Sequence, residues 1–365
     1  MNAESRFDVV VAIPAKDEEE RIKLCLSQLS QQTYRQPFGV VVVANNCTDQ
    51  TAAVARLHHT DQMFVDVIEI DFLPANANAG QARKLALDGA VELVKPDGVL
   101  LTTDADAVVD PTWLTEMMAE FESGQDAVAG AVSANWDELS QFPADVLEIG
   151  AREWEYQKLV AEIEAYIDRE PHDPWPRHNQ NCGANAGITA AFYQRIGGLP
   201  ALPVGEDRAM FDAVRALDGK VRHSVLSHVT ASARTVGRAI GGMADALQAR
   251  HTDDYLCDNL LEPVADLVRR SAWRRQSREA WVNGQLQKWL DENSLQAGPY
   301  GVELQTSFGT IWNFIEQSHP KLVKQRLAPA DLEPQTKLAK RYLAHLHANP
   351  LSLDLPILEA EPWTT

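Results

Sequence analysis

The sequence predicts an α/β protein with a doubly wound, mainly parallel open sheet, followed by a helical C-terminal extension. In the first third of the chain, apolar runs of strand length alternate with amphipathic helical patterns. The apolar runs are nearly continuous, which is typical of strands buried on both faces of a parallel sheet. From about residue 236 the alternation stops and successive helical patterns follow. We therefore predict two domains, residues 1–235 and residues 236–365.

The strands and helices of the first domain follow one another in regular order. The predicted strands are FDVVVAI at 7–13, GVVVVA at 39–44, MFVDVIEI at 63–70 and GVLLTT at 98–103. The predicted helices are residues 18–30, with Ile22, Leu26 and Leu29 on one face, residues 51–57 and residues 79–94. Strands joined through helices form right-handed crossovers, and ligands bind beyond the carboxyl ends of such strands.

Composition excludes several classes of protein. A net charge of −19 disfavours binding to nucleic acid or to anionic membranes, because phosphate groups require a basic surface. No apolar run approaches about 20 residues, so we expect no transmembrane span. The N-terminal sequence MNAESRFDVV has no secretory signal pattern. The cysteines are far apart and show no metal-ligand spacing, which predicts reduced thiols in the cytoplasm. They are Cys25, Cys47, Cys182 and Cys257.

Two aspartates, Asp104 and Asp106, follow the predicted strand at 98–103. In an extended backbone, side chains at i and i+2 point to the same side, so the two carboxylates would converge on one point. A divalent cation with a bound phosphate would relieve their repulsion. The alternative is that Asp104 caps the next turn and Asp106 is solvated. The dipeptide alone leaves both interpretations open.

Polar clusters follow three of the predicted strands. They read PAKDEEER after the first strand, NNCTDQT after the second and DAD after the fourth. Taken singly, the first cluster also fits an acidic helix start and the second fits a helix cap. The carboxyl ends of parallel strands lie on one edge of the sheet, so all three clusters are within reach of one ligand. Their joint placement favours a binding site.

Two later segments also carry candidate site residues. The segment at 178–200 places Gly183 and Gly187 around Asn185, just before an Ala-rich helix. Small residues there allow a ligand to approach backbone N–H groups, and a tight packing loop is the alternative. Glu206 and Asp207 open the next helix, where acids either complement the helix dipole or act in catalysis.

The ordered motifs resemble those of the family 2 glycosyltransferases, which have the GT-A fold. The motifs are VVVAIPAKDEEERI, VVVANNCTDQT, LLTTDADAVVDPTWL, GANAGITAAFYQRIGGLP and GEDRAMFDAVRALDGKV. They cover about residues 7–235, and the specificity of the resemblance lies in their order. The resemblance implies that residues 1–235 are a nucleotide-sugar-binding catalytic domain.

The resemblance also implies roles for individual residues. Residues at the ends of the first two strands would hold the nucleoside: Pro14, Ala15, Glu18 and Asn45. Family members usually have Asp where this chain has Asn45. Asp104 and Asp106 would carry the Mn²⁺ or Mg²⁺ ion that bridges the diphosphate, with His228 as a third ligand. Asp207, beside Glu206, would be the catalytic base.

The predicted function is inverting transfer of a single sugar from a nucleotide-diphospho-sugar to an acceptor hydroxyl. The acceptor would be a small molecule, or a glycan or lipid presented at a membrane surface. We expect Arg83, Arg234 and Arg238 to bind the donor phosphates through charge-assisted hydrogen bonds. Processive family members have membrane helices and a Gln-x-x-Arg-Trp motif, and this chain has neither.

Two other functions remain open. A nucleotidyltransferase that makes sugar nucleotides uses a related sheet, but it needs a glycine-rich loop after its first strand, and IPAKDEEE has no glycine. The other is a noncatalytic protein that binds nucleotide sugars.

The C-terminal region reads as helices broken at Pro263 and Gly284, with a tail over 350–363. It carries a basic run near Trp273 and Trp281: Arg269, Arg270, Arg274, Arg275 and Arg278. This run fits either a solvated helix face with aromatic packing or a site for the acceptor or an anionic surface.

Overall fold

The computed structural model describes residues 6–238, 241–250, 252, 254–295 and 307–348. The chain divides into two compact units, which we call the sheet unit and the helical unit. The sheet unit comprises Met1–Phe142, Gln180–Arg215 and Gly219–Gln248, and the helical unit comprises Pro143–Asn179, Ala216–Asp218 and Ala249–Thr365. Every predicted site residue lies in the sheet unit. The domain boundary at residue 235 stays a prediction.

An eight-stranded sheet forms the centre of the sheet unit in the described part of the chain. Its strands are β1 (Phe7–Ala15), β2 (Phe38–Asn45), β3 (Met63–Ile70), β4 (Val94–Thr102), β5 (Val108–Val109), β6 (Ala127–Ala134), β7 (Ala186–Thr189) and β8 (Val221–Ala231). The strand order is β3-β2-β1-β4-β7-β6-β8-β5. The four strands predicted from their apolar runs are all present.

The helices of both units are numbered in chain order. They are α1 (Glu19–Ser30), α2 (Thr51–Arg56), α3 (Ala79–Val91), α4 (Trp113–Glu122), α5 (Trp136–Leu139), α6 (Ala144–Ile167), α7 (Ala190–Arg195), α8 (Glu206–Ala216), α9 (Met243–Ala249), α10 (Val264–Val282), α11 (Leu286–Glu292), α12 (Phe308–Ser318) and α13 (Leu332–Ala348). Short 3-10 turns cover Gly183–Asn185, Pro320–Leu322 and Pro329–Asp331.

The sheet is the predicted open α/β sheet: among the described residues, four of its seven strand pairs are parallel and three are antiparallel. β3, β2, β1 and β4 are parallel neighbours, so one half has the predicted doubly wound arrangement. β7 pairs antiparallel with both β4 and β6, and β5 pairs antiparallel with β8, whereas β6 and β8 are parallel. β7 has the short sequence AGIT, in which a strand pattern cannot be told from the approach to a helix.

The core of the sheet unit explains the continuous apolar runs. β1 and β2 are central strands, and the side chains of their valines are buried on both faces. Helix α1 packs on one face through Ile22, Leu26 and Leu29, the three residues predicted for its apolar side. Trp113, at the start of α4, is fully buried in the same cluster. Burying apolar surface at about 25 cal/mol per Å² is the main force that holds these layers together.

The helical unit has its own apolar core, which confirms the predicted helical extension. Tyr156 and Ile163 of α6 pack with Leu267 of α10 and Tyr342 of α13. Helix α10 begins directly after Pro263 and ends just before Gly284, which has the left-handed φ of +67°. Both predicted helix breaks are therefore correct. The predicted tail at 350–363 lies outside the described residues.

The basic run in α10 is neutralised within the helical unit. Arg274 donates to Asp168 and Glu170, and Arg278 donates to the same two carboxylates. Burial alone would raise the pKa of Glu170, but Arg274 and Arg278 outweigh it and lower the pKa to about 2.

The other three arginines of the run are also paired: Arg269 with Asp266, Arg270 with Glu262 and Glu316, and Arg275 with Glu279. The tryptophans pack with other rings, since Trp273 makes an edge contact with Trp289 at 5.8 Å. A run whose charges are all compensated lacks the excess positive charge that would attract an anionic surface or acceptor. The structure favours the helix-face interpretation.

None of the helices among the described residues combines the length and the apolar character needed to cross a bilayer.

Candidate active site

The loops after β1 and β2 are bound to each other at the carboxyl edge of the sheet. The Asp17 carboxylate accepts the backbone N–H of Thr48 at 2.7 Å, and the Asp49 carboxylate accepts the N–H of Glu19 at 3.1 Å. Asp17 and Asn46 have left-handed φ values of 51° and 50°, which Asp and Asn tolerate better than most residues. The two polar clusters predicted from the sequence therefore meet, and they form one continuous surface.

Asp104 lies in a turn after β4, bonded to a buried arginine. β4 ends at Thr102, and the N–H of Ala107 donates to the carbonyl of Asp104 at 3.1 Å, so the backbone here is not extended as predicted. Arg83 of α3 donates to Asp104 Oδ1 at 2.8 Å and to Glu206 Oε1 at 3.0 Å. Its remaining contacts are with Thr102 Oγ1 at 2.8 Å and with the carbonyl of Gly183 at 2.9 Å.

Arg83 is a structural cation of the site. Its side chain is 7% exposed. Burial alone would lower the pKa of Arg83, but the carboxylates of Asp104 and Glu206 outweigh burial, so the pKa is raised and the guanidinium stays charged. Its N–H groups donate to acceptors within the protein, so we do not assign Arg83 to the phosphates of the nucleotide-sugar. A Cβ atom at position 183 would lie 2.6 Å from Arg83 Cζ, which explains why glycine occupies that position.

Asp106 is bonded to a second arginine, Arg234, in the segment after β8. Arg234 Nη2 lies 3.0 Å from Asp106 Oδ2, and its two terminal nitrogens bind Glu18 at 2.5 and 3.0 Å. Glu18 is 6% exposed, and its N–H donates to Thr51 Oγ1 at 2.8 Å. Glu18, Asp106 and Arg234 thus join the loop after β1 to the segments after β4 and β8.

Asp106 has an unusual pKa. Burial and the nearby charge of Asp104 raise it to about 6, and Arg234 offsets them only in part. Burial is the largest cause of this shift, and the charge of Asp104 is the second. A cation bound at these carboxylates would favour the ionised form of Asp106.

We expect Asp106→Asn to stabilise the metal-free protein at neutral pH. The folded-state pKa is above the ordinary Asp value of about 4, so ionising Asp106 costs stability as the pH rises from about 4 through 6. The variant should gain about 2–3 kcal/mol over the parent at pH 7.5 and almost nothing at pH 4. Thermal unfolding in a chelator at both pH values measures this difference. An equal change at the two pH values would contradict it.

Asp207 is held by backbone donors at the first turn of α8. The N–H of Gly183 donates to Asp207 Oδ2 at 2.8 Å, and the N–H of Arg208 donates to Asp207 Oδ1 at 2.7 Å. Each oxygen keeps a lone pair, so the carboxylate is oriented and can still accept a proton. Glu206 beside it is buried and bonded to Arg83, so only Asp207 of the two acids is partly open to solvent.

Asn185 supports the turn that carries Gly183, and it has no exposed surface. Its Oδ1 accepts Trp113 Nε1–H at 2.8 Å, and its Nδ2 donates to the carbonyls of Ala131 and Ser227. These bonds fix Asn185 from within the fold, and in this conformation its side chain does not line the open edge.

His228 does not lie beside the paired aspartates in this conformation. Its Nε2 is 2.9 Å from Ser133 Oγ, and its Nδ1 is 3.3 Å from Asp110 Oδ1. The resemblance implied a metal ligand after this strand, whereas His228 lies within β8, and the face of β8 that it occupies depends on a register shift opposite Gly130 and Ala131. Among the described residues, the ligand atoms of Asp104, Asp106 and His228 do not form a group within 4.8 Å of one another, so the role of His228 as third ligand stays a prediction.

The remaining predicted residues also lie in the sheet unit. Pro14 and Ala15 end β1, and Asn45 ends β2 with 3% exposure. Arg238 is exposed in the segment after β8. Sequence reasoning missed Arg21 and Glu138, which pair at 2.8 Å and contact Ser232 next to the Arg234 segment.

One other group of possible metal ligands exists among the described residues. Asp17, Cys47 and Asp49 place ligand atoms within 4.8 Å of one another, although cysteine spacing in the sequence gave no such indication. Their atoms also make hydrogen bonds within the two loops, and burial raises the pKa of the Cys47 thiol. All four cysteines are free.

The sheet, the order of its motifs and the acidic edge agree with the class that the sequence resemblance implies, the nucleotide-sugar glycosyltransferases. Residues 10–174 match the family described as Glycosyl transferase family 2. Over these residues, the chain is similar to the family 2 glycosyltransferases. No curated protein matches the chain in sequence.

Several solved structures are similar in fold. S. aureus TarS 1–349, in complex with UDP, is 14% identical with a TM-score of 0.44, over 94% of this chain and 87% of that chain. Mannosyltransferase PcManGT from Pyrobaculum calidifontis, in complex with GDP-Man and Mn²⁺, is 15% identical with a TM-score of 0.48, over 95% and 77%.

A third is glucosyl-3-phosphoglycerate synthase from Mycobacterium tuberculosis, in complex with Mn²⁺, UDP and phosphoglyceric acid. It is 16% identical with a TM-score of 0.41, over 67% of this chain and 77% of that chain.

Proposed function

We propose that this glycosyltransferase transfers a single hexose from a nucleotide-diphospho-sugar to an acceptor hydroxyl, with inversion and with the help of Mn²⁺ or Mg²⁺. The observation that supports it most is the position of Arg83. This one side chain bonds both Asp104, the candidate metal ligand, and Glu206, the residue next to the candidate base. The two halves of the predicted chemistry are therefore adjacent at one edge of the sheet.

Asp104 and Asp106 supply the cation site. Each is held by an arginine through one carboxylate oxygen, and Asp104 is 35% exposed, so hard oxygen donors are available to a divalent ion. A cation bound there would neutralise negative charge on the departing diphosphate. We assign Arg234 and Arg238 to binding of its oxygens, which agrees with the partial exposure of Arg234 and the exposure of Arg238.

Asp207 takes the proton of the acceptor hydroxyl. Its two backbone hydrogen bonds fix the direction of the carboxylate before the acceptor arrives, and a positioned base typically contributes about 10²- to 10⁴-fold in rate. Pro14, Ala15, Glu18 and Asn45, which lie at or just after the ends of β1 and β2, are the residues to which we assign nucleoside binding. The acceptor, a small molecule or a glycan or lipid at a membrane surface, approaches from the side of Asp207. A cytoplasmic location agrees with the four free cysteines.

Calorimetric titration with UDP and Mn²⁺, followed by turnover assays on a panel of sugar nucleotides, tests the proposal against its alternatives. Release of free sugar or transfer to an acceptor supports a glycosyltransferase acting on that donor. Release of pyrophosphate would indicate a nucleotidyltransferase, although the loop at residues 14–18 has no glycine to hold a triphosphate. Tight binding without turnover would indicate a noncatalytic protein. A ladder of products that lengthens with time would exclude transfer of a single sugar.

We expect Asp106→Ala to abolish the Mn²⁺-dependent part of nucleoside diphosphate binding. Without its bridging cation, the diphosphate would face a protein with a net charge of −19. Titration with UDP, with and without Mn²⁺, measures the effect. Asp8→Ala is the matched control, because Asp8 is an exposed aspartate at the opposite end of β1, paired with Lys95. Parental Mn²⁺ dependence in Asp106→Ala would remove this residue from the cation site.

A further inference from the structure

Arg83 contacts the candidate base through the backbone as well as through Glu206. The carbonyl of Gly183 accepts from Arg83 Nη1 at 2.9 Å, and the N–H of the same residue donates to Asp207 Oδ2 at 2.8 Å. The guanidinium also bonds Glu206, which precedes Asp207 in the first turn of α8. Two separate routes therefore lead from Arg83 to Asp207: one through two hydrogen bonds to the backbone of Gly183, and one through a hydrogen bond to Glu206 and its covalent link to Asp207.

The turn at Gly183 is confined from both sides. Arg83 fills the space that a side chain at position 183 would occupy, because a Cβ there would be 2.6 Å from Cζ and 2.8 Å from Nε. On the other side, Asn185 is bonded to Trp113, Ala131 and Ser227. The orientation of the Gly183 N–H is therefore fixed, and this N–H points toward Asp207.

We propose that Arg83 is a positioning residue for the transfer step, which orients the base Asp207 through the backbone of Gly183 and through Glu206. This role rests on the proposed function and makes it more specific. It differs from phosphate binding, because the donors of Arg83 are already directed to Glu206, Thr102, Gly183 and Asp104. A planar guanidinium is required, since an ammonium group cannot direct hydrogen bonds to four acceptors in this fixed fork.

A double-mutant cycle tests the proposal with Arg83→Lys and Asp207→Asn. Lysine keeps the positive charge beside Asp104 but loses the fork. We expect kcat to fall about 100-fold in Arg83→Lys, because small displacements of a reacting group have effects of this size, while the donor Kd changes less than about threefold. In the Asp207→Asn background, the same substitution should lower kcat by less than about threefold. A merely structural role would lower kcat equally in both backgrounds.

Two further variants protect the test against misfolding. Gly183→Ala displaces the guanidinium from the other side and should show the same non-additive loss with Asp207→Asn. Arg222→Lys is the control, since Arg222 is a buried arginine on β8 in an ion pair with Glu120, and its kcat should remain parental. If the enzyme is active and the kcat losses of the single variants multiply in the double variants, the proposed role of Arg83 is wrong. That result would leave the proposed function untouched. Absence of transfer by the parental protein with every sugar nucleotide would overturn the proposed function and this role with it.

Discussion

Asp207→Asn is expected to lower kcat for sugar transfer by about 10²- to 10⁴-fold, with the donor Kd nearly unchanged. Asparagine keeps the size of the side chain and can still accept the N–H of Gly183, but it is no longer a base. The loss should therefore fall on the transfer step and spare donor binding. Steady-state transfer kinetics and a donor titration on the same preparation measure the two quantities, and the melting temperature should stay close to parental.

Asp212→Asn is the matched control for this prediction. Asp212 lies on the same helix, α8, but its side chain is 71% exposed and pairs with nearby Arg215. Its removal should leave kcat unchanged. Glu206→Gln should be milder than Asp207→Asn, because Glu206 contacts Arg83 and not the acceptor. Parental turnover in Asp207→Asn would mean that Glu206 and Asp207 only form the acidic start of α8.

Arg270→Met is expected to destabilise the helical unit by about 3–5 kcal/mol. Arg270 binds Glu262 through two nitrogens at 2.9 and 3.0 Å, and Glu262 is only 3% exposed. Removing the arginine leaves this carboxylate buried without its cation, and such uncompensated charges cost far more than the original pair contributes. It also leaves the carbonyl of Leu322 without a donor. The midpoint of urea unfolding, followed by circular dichroism, measures the loss.

Arg275→Met provides the comparison on the same helix. Arg275 pairs with Glu279, whose side chain is 56% exposed, and ion pairs of this kind contribute about 0–1 kcal/mol. The two arginines belong to the same basic run in the sequence, so only their partners distinguish them. Equal destabilisation by both substitutions would show that burial of Glu262 does not control the stability of this helix.

The parts of the fold that were predictable from sequence are those with a local pattern. The valine runs of β1 and β2 are buried on both faces, and the spacing of Ile22, Leu26 and Leu29 is that of one helix face. Pro263 and Gly284 mark the ends of α10 through backbone chemistry that is also local. In contrast, α6 was not predicted. Its acidic residues dilute the apolar pattern, and Glu153 is buried by pairing with Arg250, 97 positions away.

The candidate site was also predictable from sequence only in part. Motif order identified the segments that meet at the sheet edge, since the carboxyl ends of parallel strands have to lie together. It did not show that Arg83 and Arg234 are bonded to Asp104 and Asp106, because these pairs join residues far apart in the chain. The direction of His228 depends on the register shift between β6 and β8, and a shift of pairing changes the face of a strand without changing its sequence.

Asp104 and Asp106, at the carboxyl edge of the sheet, already have counter-ions within the protein, because Arg83 pairs with Asp104 and Arg234 pairs with Asp106. A divalent cation that enters alone would meet Arg234 at 3.0 Å from Asp106, and like charges would oppose it. With a cation that carries a diphosphate, Asp104 and Asp106 would hold the metal, and Arg234 would bind the phosphate oxygens in place of Asp106. Metal and nucleotide affinities should then be thermodynamically linked, with each ligand raising the affinity for the other by the same factor. Through this exchange of ion pairs, the edge would distinguish a metal–nucleotide complex from the free ion.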